Sequence, residues 1–510
     1  MKSNSYEEMK KRVFLEDGEK FPAKSFTELV LKPAYDNAKE KLLAPMMEVN
    51  YAHLIMLYEQ KLLGKEDAKK IAKALEELNL EQFQNGCYTG KYEDLFYEVE
   101  DALLKSVGDI AGNLHLARSR NDMGVTMYRM VMREYLLEVM KSLQMLIEVF
   151  TCLAEEHKDT IMVAHTHTQQ AQITTLGHYI LAVCQILSRD MDRLEHAFMT
   201  VNRSSMGACA ITTTGFPIDR QVMADLLGFD EMVVNSYDAI GGGDYLGETA
   251  TAIMLAAIDA GKVVQDFLLW ATQEFNVLRA GDPYVQVSSI MPQKRNPVSI
   301  EHLRSLLSTS IGNCQTLLTM LHNTPYGDIV DTEDDAQPYG WMACDILSKC
   351  YVLFGNVMST IEVNKEVLLQ RAYNGFATIT ELADTLVRET DVPFRKAHSV
   401  ASKLAKEYIA KGKSIQDIDE EHVKEAFEQV TNLKWEIDFI KIKESIDPKH
   451  FVNIRNIKGG CGPKAMEDMI TEAKKINDSQ ENWISKKQDL IINAHNDLRK
   501  RIQLYFWQVL

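Results

Sequence analysis

An all-α fold is predicted by three features of the 510-residue sequence. Proline, which fixes φ and lacks a backbone donor, occurs only twelve times, and none falls between Pro45 and Pro217, Pro217 and Pro283, or Pro338 and Pro393. Long helices are therefore permitted in those stretches. Leu136, Met140, Leu143, Ile147 and Phe150 recur at spacings of four and three, the buried stripe of a helix packed in a bundle. Sustained apolar/polar alternation, the mark of half-buried strands, is scarce.

Taken in order, the N-terminus MKSNSYEEMKKRVFLEDGEK alternates charges where a secretion signal needs an apolar run. No apolar stretch approaches the ~20 residues of a membrane span, and a cytoplasmic location is expected. The polar stretch from Asn85 to Asp94 and the Tyr373-Asn374-Gly375 turn are taken as boundaries. With the bundle given its full helical stretch, the expected organisation is an N-terminal helical domain (1–120), a central bundle (121–365) and a C-terminal helical domain (366–510). Tyr245 to Phe275 is apolar on most faces and reads as a central helix buried by several neighbours. Pro283, Pro292, Pro297 and Pro325 crowd one irregular region. The tail from Asp478 to Leu510 is amphipathic and charge-rich, with no evident chemistry.

Composition excludes several classes. Hydrophobic residues are 46% and charged residues 25% of the chain, ordinary globular usage. The formal net charge of −17 has the wrong sign for nucleic acid or an anionic membrane. Eight cysteines without a CxxC pair read as buried, reduced thiols.

Chemistry concentrates in Ser288-Ser289-Ile290-Met291-Pro292-Gln293-Lys294-Arg295-Asn296-Pro297. Two hydroxyls, an ammonium and a carboxamide on a proline-bounded loop suit recognition of a carboxylate. By composition alone a solvated connecting loop is the commoner reading. His165 and His167 at i, i+2 lack a Cys or acidic partner at ligand spacing, so no metal site is expected. Gly241-Gly242-Gly243 lacks the setting of a phosphate loop and reads as a turn. Arg118 and Asp122 are spaced as an i, i+4 helix pair, which stands beside a catalytic reading.

The loop resembles the fumarase/aspartase superfamily signature Gly-Ser-Ser-x-x-Pro-x-Lys-x-Asn, with Val287 in place of the glycine. Two more segments are similar to argininosuccinate lyases. Asn113 to Asp122 resembles their His-Thr-Gly-Arg-Ser-Arg-Asn-Asp block, with Leu116-Ala117 for Thr-Gly. Ala164 to Gln172 resembles Gly-Tyr-Thr-His-Leu-Gln-Arg-Ala-Gln, keeping Thr166, His167, Gln169 and Gln172. Lys294 to Pro297 is also similar to adenylosuccinate lyases, whereas Arg118 to Asp122 is not.

This resemblance implies a fumarase/aspartase-like fold with a long central bundle and two smaller helical domains. It further implies anti elimination of an amine from an N-substituted aspartate, argininosuccinate by default, to release fumarate without a cofactor. Ser288 is then the base. Lys294 and Asn296 grip the carboxylate that becomes a dianion, while Arg120, Asn121 and Thr166 hold the succinyl part. His167 pairs with Glu301 on the leaving-group side. Gln169, Ser289 and Tyr326 complete the expected contacts, and a homotetramer with composite sites is implied.

The amine side departs from that pattern. Where those lyases carry Tyr-Asn-Lys-Asp-Leu-Gln-Glu-Asp-Lys, this sequence runs from Tyr326 to Asp335, and only the tyrosine of their Tyr, Gln and Lys survives. The N-terminal Trp-Gly-Gly-Arg-Phe is missing, and Ser-Asp-Arg-Asp is replaced by Gly241 to Asp244. Asp331, Glu333, Asp334 and Asp335 favour a cation over a carboxylate. A related lyase with a cationic amine leaving group is the first alternative, and a catalytically silent scaffold is the second. An acidic run pointing into solvent would count against the first.

Overall fold

The computed structural model describes residues 6–507. Its principal helices are α1 (Leu43–Glu59), α2 (Arg120–Glu156), α3 (Leu176–Val201), α4 (Asp244–Trp270), α5 (Val298–Leu321), α6 (Gln337–Ser359), α7 (Lys365–Asn374), α8 (Ile379–Glu389) and α9 (Pro463–Ile502). Helix α2 packs against α3 and α6, α4 against α3 and α5, and α5 against α6, closing a five-helix bundle. Leu136, Met140, Leu143, Ile147 and Phe150 are each no more than 1% exposed. At ~1.5–3 kcal/mol per large apolar side chain, that stripe is a main source of bundle stability. Phe150 meets Phe267 of α4 and Phe354 of α6 edge-on, at ring separations of 6.2 and 5.2 Å.

Helix α2 starts where its sequence supplies a capping box. The Ser119 side chain accepts from the Asn121 backbone, and Asp122 Oδ1 accepts the Ser119 N–H at 2.8 Å. The other Asp122 oxygen accepts N–H groups of Gly207 and Cys209, tying the helix start to a turn 85 residues away. The Arg118–Asp122 helix pair, one of the two readings of these residues, is not formed among the described residues. Arg118 precedes the helix and donates instead to Asn50 of α1 at 2.7 Å.

Helix α4 is less enclosed than its composition suggests. Leu255, Ile258 and Leu269 are 40–42% exposed, leaving an apolar strip on its outer face.

Between α2 and α3 lies an antiparallel hairpin, β1 (Ile161–Thr166) and β2 (Gln169–Thr175). Its first strand shows little alternation because Ile161, Met162 and Val163 are all buried. The inner end of the hairpin shares a small core with Ala372 of α7, Phe451 and Cys461.

Helix α7 ends at Gly375. A separate core built from Leu382, Leu386, Val400, Leu404, Val423 and Phe427 follows. Of the expected C-terminal stretch 366–510, residues 463–502 form α9, which lies along α2 and α3. The tail is thus one face of the bundle, and its last three residues lie outside the described ones. All eight cysteines are free; Cys87 and Cys152 are exposed, contrary to the expected burial, and Cys209 is intermediate. Among the described residues no helix is long and apolar enough to cross a membrane.

Candidate active site

The loop from Ser288 to Lys294 is pinched at its base, where Gln286 and Val287 pair antiparallel with Asn296 and Arg295. Arg295 anchors this stem through Asp282 at 2.7 Å and the Ala280 carbonyl at 3.2 Å. Val287 sits in this short ladder and not among the positive-φ residues, so its position needs none of glycine's conformational freedom. The tip is open, with Ile290 85% exposed.

Ser288 Oγ accepts the backbone N–H groups of Met291 at 3.0 Å and Ile290 at 3.3 Å. Two fixed donors on one hydroxyl oxygen favour its deprotonated form, which is what a serine base requires. Ser289 is exposed, and Asn296 and Lys294 follow on the returning stem. Lys294 Nζ has no ion-pair partner among the described residues. Glu301, exposed in the first turn of α5, is favourably placed against the helix dipole.

His167 lies at the tip of the β-hairpin. Thr166 pairs with Gln169, leaving His167 and Thr168 as a two-residue turn with φ of 51° and 63°. These are the φ signs of a type I′ turn, which Asn-Gly fills most easily. The left-handed region costs roughly 1–2 kcal/mol for an ordinary residue, and a β-branched threonine is an outlier there. Below the tip a bulge interrupts the register between Val163 and His165, and Gln172 within it donates to Thr380 of α8 at 3.4 Å. His167 and Gln169 are exposed.

The third group stands at the start of α2. Arg120 pairs with Asp94 at 2.5 Å and Glu93 at 3.4 Å, and its guanidinium lies 4.7 Å above the Tyr97 ring. The Asn121 amide donates to the Asp328 carboxylate. Tyr326 stacks on Tyr237 at 5.8 Å and donates to Asp238 at 2.7 Å. Gly241 lets this segment approach, because a Cβ there would meet the Gly327 nitrogen at 3.0 Å.

The acidic run is turned partly inward. Asp334 accepts from the buried Tyr128 hydroxyl at 2.5 Å. Asp331 and Glu333 are half-buried, while Asp334, despite that bond, and Asp335 are exposed. Burial and the adjoining Asp328 carboxyl hold Glu333 well above the ordinary carboxylate range.

The group at the start of α2 does not meet the other two within one chain. Asn121 begins α2 and the hairpin follows its far end; at 1.5 Å per residue the 37-residue helix spans ~55 Å. Glu301 opens α5 and Tyr326 follows its end, ~36 Å away for 24 residues. Among the described residues no hydrogen bond or ion pair joins His167 to Glu301, so the expected pair is not formed inside one chain.

Comparison with known proteins gives the same affiliation. A lyase family profile matches residues 59–312, and a profile for the argininosuccinate lyase C-terminal region matches 376–453. Argininosuccinate lyase 2 of Agrobacterium fabrum is 39% identical over 89% of this chain and 90% of its own. The chain belongs to the argininosuccinate lyase family. Argininosuccinate lyase of Methanothermobacter thermautotrophicus is 35% identical over 85% of this chain and 92% of its own. Among solved structures, EDDS lyase in complex with formate superimposes with a TM-score of 0.84 at 29% identity, covering 93% of this chain and 95% of that one.

Within this family frame, three features of the site were beyond sequence reasoning. The amide donors of Ile290 and Met291 carry no side-chain signal. The Arg120 partners, Glu93 and Asp94, lie in the stretch taken only as a boundary. Asp328 was visible as part of an altered segment, but its bond to Asn121 spans 207 residues. Among the described residues no group of three or more His, Cys, Asp or Glu is placed to hold a metal ion.

Proposed function

We propose that this family member cleaves argininosuccinate by anti elimination to fumarate and arginine, in a homotetramer whose active sites draw on different copies of the chain. The observation that carries this reading is the environment of Ser288. Its oxygen accepts two backbone N–H groups on an open loop that also bears Lys294, which has no ion-pair partner among the described residues.

The chemical difficulty is removal of a weakly acidic C–H proton next to a carboxylate. Ser288, as the alkoxide, takes that proton once the loop closes over substrate. Negative charge then develops on the neighbouring carboxylate, where the Lys294 ammonium and the Asn296 amide meet it. Thr166 and Asn121 hold the succinyl half, with Arg120 supplying positive charge. His167, near Glu301 of another copy, assists departure of the amine. Ser289 and Gln169 line the same composite site.

Two features support assembly. The group at the start of α2 lies tens of ångströms from the hairpin and from the Ser288 loop in one chain, and α4 exposes Leu255, Ile258 and Leu269 as an apolar strip. The test follows fumarate absorbance after argininosuccinate is mixed with wild-type protein or Ser288→Ala. Saturable fumarate release by wild type alone is expected; an active Ser288→Ala would remove the proposed base.

A second reading concerns the amine. Asp328 bonds to Asn121, and Glu333 adjoins Asp328, so carboxylates border the place where the leaving group would lie. This arrangement supports a leaving amine with positive charge on that side, arginine or another cationic amine. Fumarate consumption against a panel of cationic and neutral amines distinguishes them.

A further inference from the structure

We propose that Thr168 is a positioning residue for His167, fixing the direction in which the hairpin presents the imidazole. The proposal rests on the reading that His167 enters an active site.

Three observations carry it. First, His167 and Thr168 are both left-handed, at φ of 51° and 63°, in a loop only two residues long. Glycine adopts such a turn without steric cost, whereas a β-branched side chain is among the poorest choices, so turn formation alone does not account for threonine. Second, Thr168 Oγ1 donates to the His167 carbonyl oxygen at 2.6 Å. That bond fixes the peptide plane following His167 and with it the direction of the His167 Cα–Cβ bond.

Third, the hairpin below is already clamped. The bulge between Val163 and His165 re-aims the tip, and its Gln172 is bound to Thr380. A Cβ on Gly375, after α7, would meet Gln170 Oε1 at 3.0 Å, so the α7–α8 turn closely flanks β2. The remaining freedom of His167 lies in the two turn residues. Threonine removes it at the second, where glycine would restore it.

A group that acts on a leaving amine must be held within a few tenths of an ångström, so a loosened tip lowers turnover while leaving substrate binding by the other groups intact. The test compares Thr168→Gly, Thr168→Asn and His167→Ala in the full-length protein, measuring kcat and KM for argininosuccinate together with the melting temperature.

Thr168→Gly is expected to lose about tenfold in kcat with KM within about twofold and no loss of melting temperature, because glycine relieves the backbone. Thr168→Asn, which tolerates the left-handed region and keeps a local hydrogen-bonding side chain, is expected to recover kcat to within about threefold. Wild-type kcat in Thr168→Gly overturns the proposal. So do equal losses in both variants with a lowered melting temperature, which would make the residue merely structural. Wild-type kcat in His167→Ala instead removes His167 from the site, and that failure is read separately from the other two.

Discussion

Asn121 and Asp328, 207 residues apart in the chain, share a hydrogen bond at the start of helix α2. The amide expected to grip a substrate carboxylate therefore already faces a carboxylate of the protein. If Asp328 serves the cationic side of the leaving group, Asp328→Ala raises KM for argininosuccinate about tenfold with a smaller effect on kcat, the scale of one charge-assisted contact. A fall in KM would identify Asp328 instead as a competitor that substrate must displace.

Removing the Ser288 hydroxyl leaves the fold intact, because its hydrogen bonds stay within its own loop. Ser288→Ala should lower kcat by about 10³-fold, within the range for loss of a general base, with an unchanged melting temperature. Stopped-flow absorbance of fumarate and a thermal scan check the two parts together.

Composite sites predict complementation. Ser288→Ala and His167→Ala proteins, each inactive alone, should regain part of the activity when dissociated together and reassembled, since mixed assemblies contain sites with neither defect. Sedimentation showing a monomer at assay concentration, with full activity, would break this expectation.

A buried acid on α3 makes stability depend on pH. Asp190 is fully buried; burial and the nearby Asp259 raise its carboxyl to about 7 despite an ion pair with Arg193 at 2.5 Å. The native state holds a proton that the unfolded chain, with its value of 3.8, has released. Stability contributed by that proton is present below pH 4 and is lost as pH rises to about 7, by on the order of 4 kcal/mol at most. Asp190→Asn abolishes that dependence, so the melting temperature of the variant should gain on wild type between pH 5 and pH 8.

How much could be read from sequence follows from the range over which each signal acts. The α2 stripe was legible because helical burial repeats every three or four residues, and all five of its named side chains are buried. The three site segments were legible because each is contiguous. The hairpin was not, since Ile161, Met162 and Val163 are all buried and leave little alternation to detect. Nor were the pairings of Arg120 with Asp94 and Asn121 with Asp328, which depend on how distant segments fold together. The acidic run pointed to an altered amine side, but only the fold decides that Asp334 bonds to Tyr128 and that Asp331 and Glu333 are half-buried while Asp335 is exposed.

Helix α2 carries one part of the proposed site at its first turn and hands the chain to the hairpin that carries another just beyond its last. An α-helix advances 100° per residue, so inserting or deleting a single residue in its middle would swing Asn121 out of phase with the hairpin while scarcely changing the length. In a symmetric assembly that error would recur at every site at once. In the proposed assembly the helix would act as a fixed ruler between neighbouring reaction centres. If the proposed sites are right, its residue count would be a catalytic constraint even though most of its central side chains are buried in the bundle.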